Sequence, residues 1–287
     1  MAKNNKNSKK DPVKLVPVPT TNIIPERDVD KTPILEISHL AVEFGGLVAV
    51  DNFNMAIGRT EIAGLIGPNG AGKTTVFNLL TKVYQPTRGT IMVDGLNTAG
   101  LNTMQVNKLG IARTFQNIRL FNDLSVLDNV LIGLHNEMSY QFFGAVFRLP
   151  KYWRTESIAK ERALELLSIF DMQDMWNAKA GSLPYGAQRR LEIVRALGTN
   201  PSLLLLDEPA AGMNPSETTE LMENIRKIRD TFKIAIMLIE HDMSIVMGIC
   251  EGICVMNYGK IIAKGTPSEI QSNPDVIEAY LGKKKEG

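Results

Sequence analysis

The stretch Gly67-Pro68-Asn69-Gly70-Ala71-Gly72-Lys73-Thr74 decides the fold. It fits the pattern of a glycine, four free residues and then Gly-Lys-Thr. An apolar run from Ile62 to Ile66 precedes it and predicts a buried strand, and the segment 76–80 behind it predicts a helix. Between a strand and a helix, the glycines let successive backbone N–H groups turn inward as an anion-binding nest. The sequence therefore predicts a phosphate-binding loop, because a chance glycine-rich turn would not have flanks this regular.

The loop is predicted to hold a nucleoside triphosphate. Lys73 supplies a positive charge for the β- and γ-phosphates, and the hydroxyl of Thr74 can bind Mg²⁺. The residues assigned to the nucleotide at this loop are Gly67, Pro68, Asn69, Gly70, Ala71, Gly72, Lys73, Thr74 and Thr75.

Composition limits the protein class. The chain has 287 residues, 44% hydrophobic and 22% charged, which is ordinary for a globular protein with a sizeable core. The net charge of +1 gives no sign of a nucleic-acid partner. Cys250 and Cys254 are expected to be reduced core thiols. No apolar run approaches the ~20 residues that span a bilayer, and the polar N-terminus does not resemble a secretory signal, so a cytosolic protein is expected.

Two domains of different character are predicted. Residues 1–31 contain six lysines, four prolines and little to bury, so they are predicted to be a disordered polar extension. A solvated tail without a role is favoured over contact with anionic lipid head groups, and Lys283 to Lys285 are interpreted in the same way. Residues 32–287 form the predicted catalytic domain, with a helical subdomain over about 117–200.

Alternating strands precede the phosphate loop. Apolar and polar residues alternate over Leu35 to Phe44, Gly45-Gly46 predicts a turn, and a second strand follows to Ile57. This pattern predicts an antiparallel hairpin. Phe44 ends its strand, where the ring could stack on adenine or complete the core, and spacing alone leaves the two alternatives even.

The segment from Val126 to about Gly198 is predicted to be mostly helical. Its clearest sign is one apolar stripe at helical spacing, formed by Ala159, Ala163, Leu166, Leu167 and Phe170. An aromatic patch at 142–147 is expected to pack internally or to serve as a docking surface.

A second motif completes the predicted nucleotide site. The run Leu203 to Leu206 predicts a buried central strand that ends in Asp207 and Glu208. Asp207 can hold Mg²⁺, and Glu208 is placed to deprotonate a water that attacks the γ-phosphate. A further strand over 234–239 leads to His241, which should reach the same edge of the sheet.

One stretch separates the possible families of phosphate-loop proteins: Leu183-Pro184-Tyr185-Gly186-Ala187-Gln188-Arg189-Arg190-Leu191-Glu192. Together with Gln116, the Asp207-Glu208-Pro209 segment and His241, it resembles the ATPase subunits of ABC transporters, over about residues 34–282. Within that family the chain is most similar to the ATPases of branched-chain amino acid uptake systems. The segments that carry this likeness are Ala112-Arg113-Thr114-Phe115-Gln116, 185–193, Ala210-Ala211-Gly212-Met213-Asn214-Pro215 and Asn273-Pro274 to Gly282.

The resemblance implies an α/β fold with a RecA-like parallel sheet, an antiparallel β subdomain and an inserted helical subdomain. It implies that Phe44 stacks on adenine, that Gln116 links Mg²⁺ and the attacking water to the helical subdomain, and that His241 holds the γ-phosphate. It also implies that two ATPase subunits enclose two ATP molecules. The residues that would contact nucleotide bound on the partner subunit lie at the N-terminus of a helix opened by Ala187-Gln188, and they are Tyr185, Gly186, Ala187 and Gln188.

The sequence departs from the usual family pattern at two places. Pro184-Tyr185-Gly186 stands where Ser-Gly-Gly is usual, so a serine hydroxyl is missing while the Gly186 amide remains. Asn214 replaces an aspartate after the catalytic glutamate and would lie at the subunit interface. Both variants suit the branched-chain subfamily, so an active ATPase is still expected, with ATP and Mg²⁺ as cofactors.

The function implied by the resemblance is ATP-driven import of branched-chain amino acids. The expected partners are two membrane-spanning permease subunits, a solute-binding protein and a second ATPase subunit or another copy of this chain, with no nucleic acid. The expected location is the cytoplasmic face of the cell membrane. Import of urea or export of lipopolysaccharide is the first alternative, and a soluble ABC ATPase without a membrane partner is the second.

Overall fold

The computed structural model describes residues 33–135 and 150–281. The predicted extension over 1–31, the aromatic patch at 142–147 and the lysines at 283–285 lie outside the described residues.

The described chain alternates strands and helices. The strands are, in chain order, β1 Leu35–Phe44, β2 Leu47–Ile57, β3 Ile62–Ile66, β4 Arg88–Val93, β5 Leu96–Asn97, β6 Ile111–Arg113, β7 Leu203–Asp207, β8 Ala235–Ile239, β9 Gly252–Asn257 and β10 Lys260–Gly265. The helices are α1 Lys73–Leu80, α2 Thr103–Lys108, α3 Val126–Leu134, α4 Pro150–Ser168, α5 Tyr185–Leu197, α6 Pro215–Phe232, α7 Met243–Ile249, α8 Pro267–Gln271 and α9 Pro274–Leu281.

A four-stranded antiparallel sheet, in the order β2-β1-β4-β5, contains the predicted hairpin. The pairing of β1 with β2 runs from Leu35 opposite Ile57 to Phe44 opposite Leu47. The turn is formed by Gly45 and Gly46, both with positive φ (54° and 88°). Two left-handed residues match the right-handed twist of the flanking strands, which is why glycines occupy both positions.

The phosphate loop belongs to a six-stranded sheet in the order β10-β9-β3-β8-β7-β6. Neighbouring strands from β9 to β6 run parallel, and only β10 is antiparallel to its neighbour. Every residue of β3, β7 and β8 is buried, as expected for a sheet covered on both faces. The strand predicted over Leu203 to Leu206 is confirmed, although it lies next to the edge strand β6 and not at the centre of the sheet.

Two apolar layers cover this sheet. On β7, Leu204 and Leu206 pack into the layer shared with α3, α4, α5 and α6, whereas Leu203 and Leu205 pack into the layer beneath the antiparallel sheet. The strand alternates its side chains between faces, so each layer receives every second residue. The fold thus positions the carboxyl end of β7 between a helical layer and an antiparallel layer.

The helical segment follows the predicted apolar stripe. Ala159, Ala163, Leu166 and Leu167 are buried along α4, and Phe170 is buried just after the helix ends. None of the helices in the described part of the chain combines the length and apolar character that crossing a membrane requires.

Both cysteines are free and buried, as predicted. Cys250 ends α7 and Cys254 lies on β9. Burial raises the pKa of both thiols, so they serve as core side chains.

Candidate functional site

The phosphate loop is closely packed at its first glycine. Gly67 has a φ of 149°, and a Cβ added there would lie 2.1 Å from the backbone oxygen of Met256 on β9. Gly72 has a φ of 101° and ends the loop as the N-cap of α1. Only glycine combines these backbone angles with such a close approach of a neighbouring strand.

Lys73 lies along the loop. Its Nζ donates to the carbonyl oxygens of Gly67 at 2.6 Å and Pro68 at 3.0 Å. Burial lowers the pKa of Lys73, while the negative charges of Glu208 and Asp207 oppose that shift. The lysine and the two carboxylates predicted from separate motifs therefore lie close enough to interact electrostatically.

A cavity of about 570 Å³ is lined by some of the predicted residues, whereas Phe44, Gly67, Pro68, Asp207 and His241 are not among the residues that line it. Asn69 to Thr75 form one wall, and Gln116 and Glu208 form another. The turn between β9 and β10 closes it with Tyr258 and Gly259. Its size suits a nucleotide-sized ligand.

Glu208 adopts a strained backbone conformation at the end of β7. Its φ is 47°, in the left-handed region that residues other than glycine seldom adopt. The side chain accepts a hydrogen bond from Nε2 of Gln116 at 2.8 Å, and Nδ1 of His241 lies 4.0 Å from its other oxygen. Strain of this kind is typical of functional sites, where the surroundings fix an otherwise unfavourable geometry.

His241 follows β8, which runs parallel to β7, so the two strands end at the same edge as predicted. Its side chain is 63% exposed, whereas the neighbouring Glu240 carboxylate is 1% exposed. That carboxylate accepts from the backbone N–H groups of Ala210 at 3.0 Å and His241 at 3.3 Å. Burial raises the pKa of Glu240, and these bonds oppose the shift.

Asp207 forms a buried ion pair. Its Oδ2 accepts from Nη2 of Arg113 at 2.7 Å, with both side chains almost completely buried. Its backbone N–H points to the hydroxyl of Thr114 at 3.4 Å. Arg113 thus belongs to the site, although sequence reasoning assigned it no role.

The backbone before Gln116 is held by a second buried ion pair, within α5. Arg189 donates to the carbonyl oxygens of Phe115 and Gln116 and lies 3.4 Å from Glu192. Glu192 in turn lies 3.4 Å from the N–H groups of Phe115 and Arg119. Burial raises the pKa of Glu192, and the amide donors and Arg189 oppose that shift.

The stretch 185–188 opens α5. The helix begins at Tyr185, two residues earlier than the predicted start at Ala187, with Pro184 as its N-cap. Gly186 and Ala187 are buried, whereas Tyr185 is about half exposed. Gln188 donates to the carbonyl of Leu183 at 2.8 Å.

Asn214 has a clear local role. It caps α6, accepting from the N–H groups of Ser216 and Glu217 at 3.0 Å, and Glu217 bonds back to its N–H. Such a reciprocal capping box stabilises the helix start.

Phe44 lies at the exposed end of β1. Its ring is 42% exposed and meets the ring of Tyr84 edge to face, with centroids 5.0 Å apart. The next residues along the chain that line the cavity are Leu47, Val48 and Ala49. Phe44 is thus a partly exposed aromatic residue near the cavity, and its contact with adenine stays a prediction.

The end of the chain contributes contacts that sequence reasoning missed. Gly259 donates its N–H to the carbonyl of Ala71 at 3.0 Å. The hydroxyl of Tyr280 on α9 lies near the backbone of Gly67; burial raises the pKa of this hydroxyl, and the Gly67 backbone opposes that shift. The turn Asn257-Tyr258-Gly259 was the only local signal, and nothing in it indicated the loop that it touches.

The donors at the cavity suit magnesium. Thr74 offers a hydroxyl oxygen and Gln116 an amide oxygen in the cavity lining, and Asp207, which precedes the lining residue Glu208, offers a carboxylate oxygen. A set made of oxygen atoms, with one carboxylate, fits the preference of Mg²⁺ for few protein ligands beside phosphate oxygens and water.

Comparison with known proteins extends the interpretation. The ABC transporter family model matches residues 50–211, and a model described as a branched-chain amino acid ATP-binding cassette transporter matches residues 260–286. The chain is 47% identical over 250 residues to the high-affinity branched-chain amino acid transport ATP-binding protein BraF of Pseudomonas aeruginosa. The same identity and length apply to the corresponding protein LivG of Escherichia coli K12, and each alignment covers 87% of this chain and 98% of the relative.

A solved structure agrees. The crystal structure of the ADP conformation of an ATP-binding cassette of an ABC transporter matches with a TM-score of 0.76 and 28% identity, covering 88% of this chain and all of that one. The predicted fold class is confirmed, and the chain belongs to the ABC transporter ATP-binding family, whose members couple ATP hydrolysis to transport.

Proposed function

We propose that this chain hydrolyses ATP to drive the import of branched-chain amino acids. The observation that carries the cargo is the 47% identity to BraF and LivG along 87% of the chain, joined by the subfamily match at 260–286. Import of urea and export of lipopolysaccharide have no comparable support among these similarities.

The proposed chemistry follows from the cavity. The backbone N–H groups of the loop and Lys73 would bind the β- and γ-phosphates. Glu208, fixed by Gln116 at 2.8 Å, would take the proton of the attacking water. His241, 4.0 Å from that carboxylate, would hold the γ-phosphate.

Magnesium would be held by Thr74, Gln116 and Asp207. Bound with the nucleotide, Mg²⁺ would neutralise charge that develops on the phosphates during transfer. The chain's own contribution is to place Thr74 and Gln116 in the lining of one cavity, with Asp207 next to the lining residue Glu208, and to hold Lys73 against the loop.

The proposed assembly is a pair of ATPase subunits at the cytoplasmic face of the membrane. The start of α5, with Tyr185 and Gly186, would face nucleotide bound to the other subunit, and Asn214 would lie at that interface. Phe44 would stack on the adenine of the chain's own nucleotide. Movement of α5 would reach the segment of Gln116 through Arg189, which bonds to its carbonyl.

A groove of about 370 Å³ is lined in part by Phe115 and Arg119, which lie on either side of Gln116 in the chain. This groove is the proposed contact for a cytoplasmic segment of a permease subunit. It combines the exposed apolar side chains of Phe121 and Ile132 with the guanidinium groups of Arg119 and Arg195. This favours a partner segment with apolar and acidic residues. The proposed contact is tested by co-purification of the permease subunits. Ile132→Glu should abolish it, whereas Ile158→Glu, at an exposed residue of α4, should not. Equal co-purification with the two variants would contradict the contact.

The catalytic assignment is tested with Glu208→Gln. The variant should bind a fluorescent ATP analogue like wild type and lose nearly all ATPase activity, since the amide cannot accept the proton. Glu223→Gln, an exposed change on α6, is the matched control and should keep its activity. Turnover at the wild-type rate in Glu208→Gln would disprove the base assignment. Lys73→Ala should lose affinity for the analogue.

The cargo is tested by uptake of labelled leucine, isoleucine and valine in source cells. Deletion of the gene should reduce uptake, and wild type should restore it where Glu208→Gln does not. Unchanged uptake in cells that express the protein and lack a redundant importer would refute the cargo while leaving the ATPase assignment intact.

A further inference from the structure

Arg113 is a buried arginine at the end of β6 that the proposed chemistry does not use. Its guanidinium group contacts two elements that flank the nucleotide cavity. Nη2 donates to Oδ2 of Asp207 at 2.7 Å, and Nη1 donates to Oδ1 of Asn78 on α1 at 2.6 Å. The side chain is 5% exposed, and that of Asp207 is 3% exposed.

Two aromatic rings restrict the orientation of this guanidinium group. Its Cζ lies 5.4 Å from the ring centroid of Phe77 on α1 and 4.9 Å from that of Phe115. Its Nε finds no acceptor among the residues that the structure describes. The N–H group on Nε is thus left without an acceptor among the described residues, while Nη1 and Nη2 donate to Asn78 and Asp207. These contacts hold the guanidinium group in one orientation.

The fixed guanidinium group also restricts the orientation of the Asp207 carboxylate. A planar guanidinium held at two nitrogens presents its N–H group in one direction, so the carboxylate that accepts from it is also fixed. The guanidinium group of Arg113 engages Oδ2. A metal ligand whose outer partners fix its orientation binds the metal more tightly than one that rotates.

We propose that Arg113 is the positioning residue of the metal-binding carboxylate, which holds Asp207 in the orientation that Mg²⁺ bound with ATP requires. This inference rests on the proposed assignment of Asp207 to the metal. Arg113 itself touches neither the metal nor the nucleotide; it acts through Asp207, and Asn78 and Phe115 act by orienting Arg113.

Arg113 could instead act as a cation that competes with Mg²⁺, and this alternative predicts the opposite change in metal binding. If Arg113 served only as a cation that competes with Mg²⁺ for Asp207, removing its charge would strengthen metal binding. Arg113→Lys would then change little, because it keeps the charge. If Arg113 positions the carboxylate, both variants weaken metal binding, because a lysine cannot bond Asn78 and Asp207 at once with a planar group.

The experiment measures binding and not turnover. A fluorescent, non-hydrolysable ATP analogue is titrated into the full chain with EDTA, and Mg²⁺ is then titrated at fixed analogue. We expect the affinity without metal to stay within about twofold of wild type in Arg113→Met and Arg113→Lys, since the phosphate loop is unchanged. We expect the Mg²⁺ midpoint to rise by about 10- to 100-fold in both.

Three further variants make the result decisive. Asn78→Ala keeps the ion pair and removes one of its supports, so it should shift the Mg²⁺ midpoint in the same direction by a smaller factor, even if Arg113→Met does not fold. Arg229→Met removes an arginine paired with Glu251, and it should leave the midpoint unchanged. Asp207→Asn should lose most of the Mg²⁺ dependence.

The outcomes distinguish the assignment of Asp207 to the metal from the positioning role of Arg113. If Asp207→Asn keeps the full Mg²⁺ dependence, the metal assignment in the proposed function fails. If Asp207→Asn loses it while Arg113→Met and Arg113→Lys bind Mg²⁺ as wild type does, only the positioning role fails. A lower Mg²⁺ midpoint in Arg113→Met would show a competing cation and would equally overturn the positioning role.

Discussion

Replacement of Arg189 by methionine tests what the buried ion pair of α5 does. Arg189 and Glu192 are both almost completely buried, with side chains 3% and 1% exposed. The change keeps much of the apolar volume and removes the cation, so the Glu192 carboxylate stays buried without it. Breaking a buried pair in this way costs about 3–5 kcal/mol of folding free energy. At roughly 2–4 °C per kcal/mol for a domain of this size, the melting temperature should fall by roughly 6–20 °C.

The loss of folding stability in Arg189→Met should increase as the pH rises. Burial already raises the pKa of Glu192, so its stabilising contribution is complete below the ordinary value of 4.5 and is lost as the pH rises through the folded value. Without Arg189 the folded pKa rises further. The stability deficit of Arg189→Met should therefore be smallest in acid and should grow as the pH rises.

The assay is thermal and urea unfolding of Arg189→Met, Glu192→Gln and the double variant Arg189→Met/Glu192→Gln. The glutamine removes the buried charge and keeps an oxygen that can face the N–H groups of Phe115 and Arg119. The double variant should thus be more stable than Arg189→Met at neutral pH, and its deficit should not depend on the ionisation of residue 192. If the double variant loses the sum of the two single losses, the reasoning from a buried unpaired charge is refuted.

Three further changes probe the surroundings of the loop. Gly67→Ala should lower the melting temperature and nucleotide affinity, because its Cβ would overlap the oxygen of Met256, whereas Gly70→Ala meets no atom within 4 Å and should cost less; equal losses would contradict this. As the pH rises from below 4.5, Glu240→Gln should lose less stability than wild type, because burial raises the pKa of Glu240 and the wild-type contribution disappears as the pH passes through the folded value; parallel melting curves would contradict it. Tyr280→Phe should lower stability by about 1 kcal/mol in urea unfolding if the hydroxyl bonds to the nearby Gly67 backbone, and an unchanged midpoint would exclude a contribution from such a bond.

Sequence reasoning succeeded where the signal is local. The phosphate loop, the hairpin turn at Gly45-Gly46 and the strand that ends in Asp207 each depend on a few consecutive residues whose backbone demands or burial pattern are visible in the sequence. The convergence of His241 and Glu208 followed from one rule, that neighbouring parallel strands end at the same edge.

The contacts that escaped prediction join residues far apart in the chain. Arg113 and Asp207 are 94 positions apart, and neither periodicity nor spacing relates them. The bond of Gly259 to Ala71 depends on which strand lies beside β3, which a pattern of apolar residues does not specify. The start of α5 at Tyr185 lies two residues before the predicted start, and its N-cap residue, Pro184, has no capping side chain that could have marked it in the sequence.

The pairing of β3 has a consequence for how the protein is made. The strand before the phosphate loop is synthesised early, yet its two neighbours in the sheet, β8 and β9, emerge from the ribosome roughly 170 to 190 residues later. The packing around Gly67 also includes Met256 and Tyr280, which are also translated late. Contacts this distant in sequence make a slow, late step of folding. A nascent chain therefore completes its nucleotide pocket only when nearly all of it has been translated, so that ATP binding marks a finished subunit.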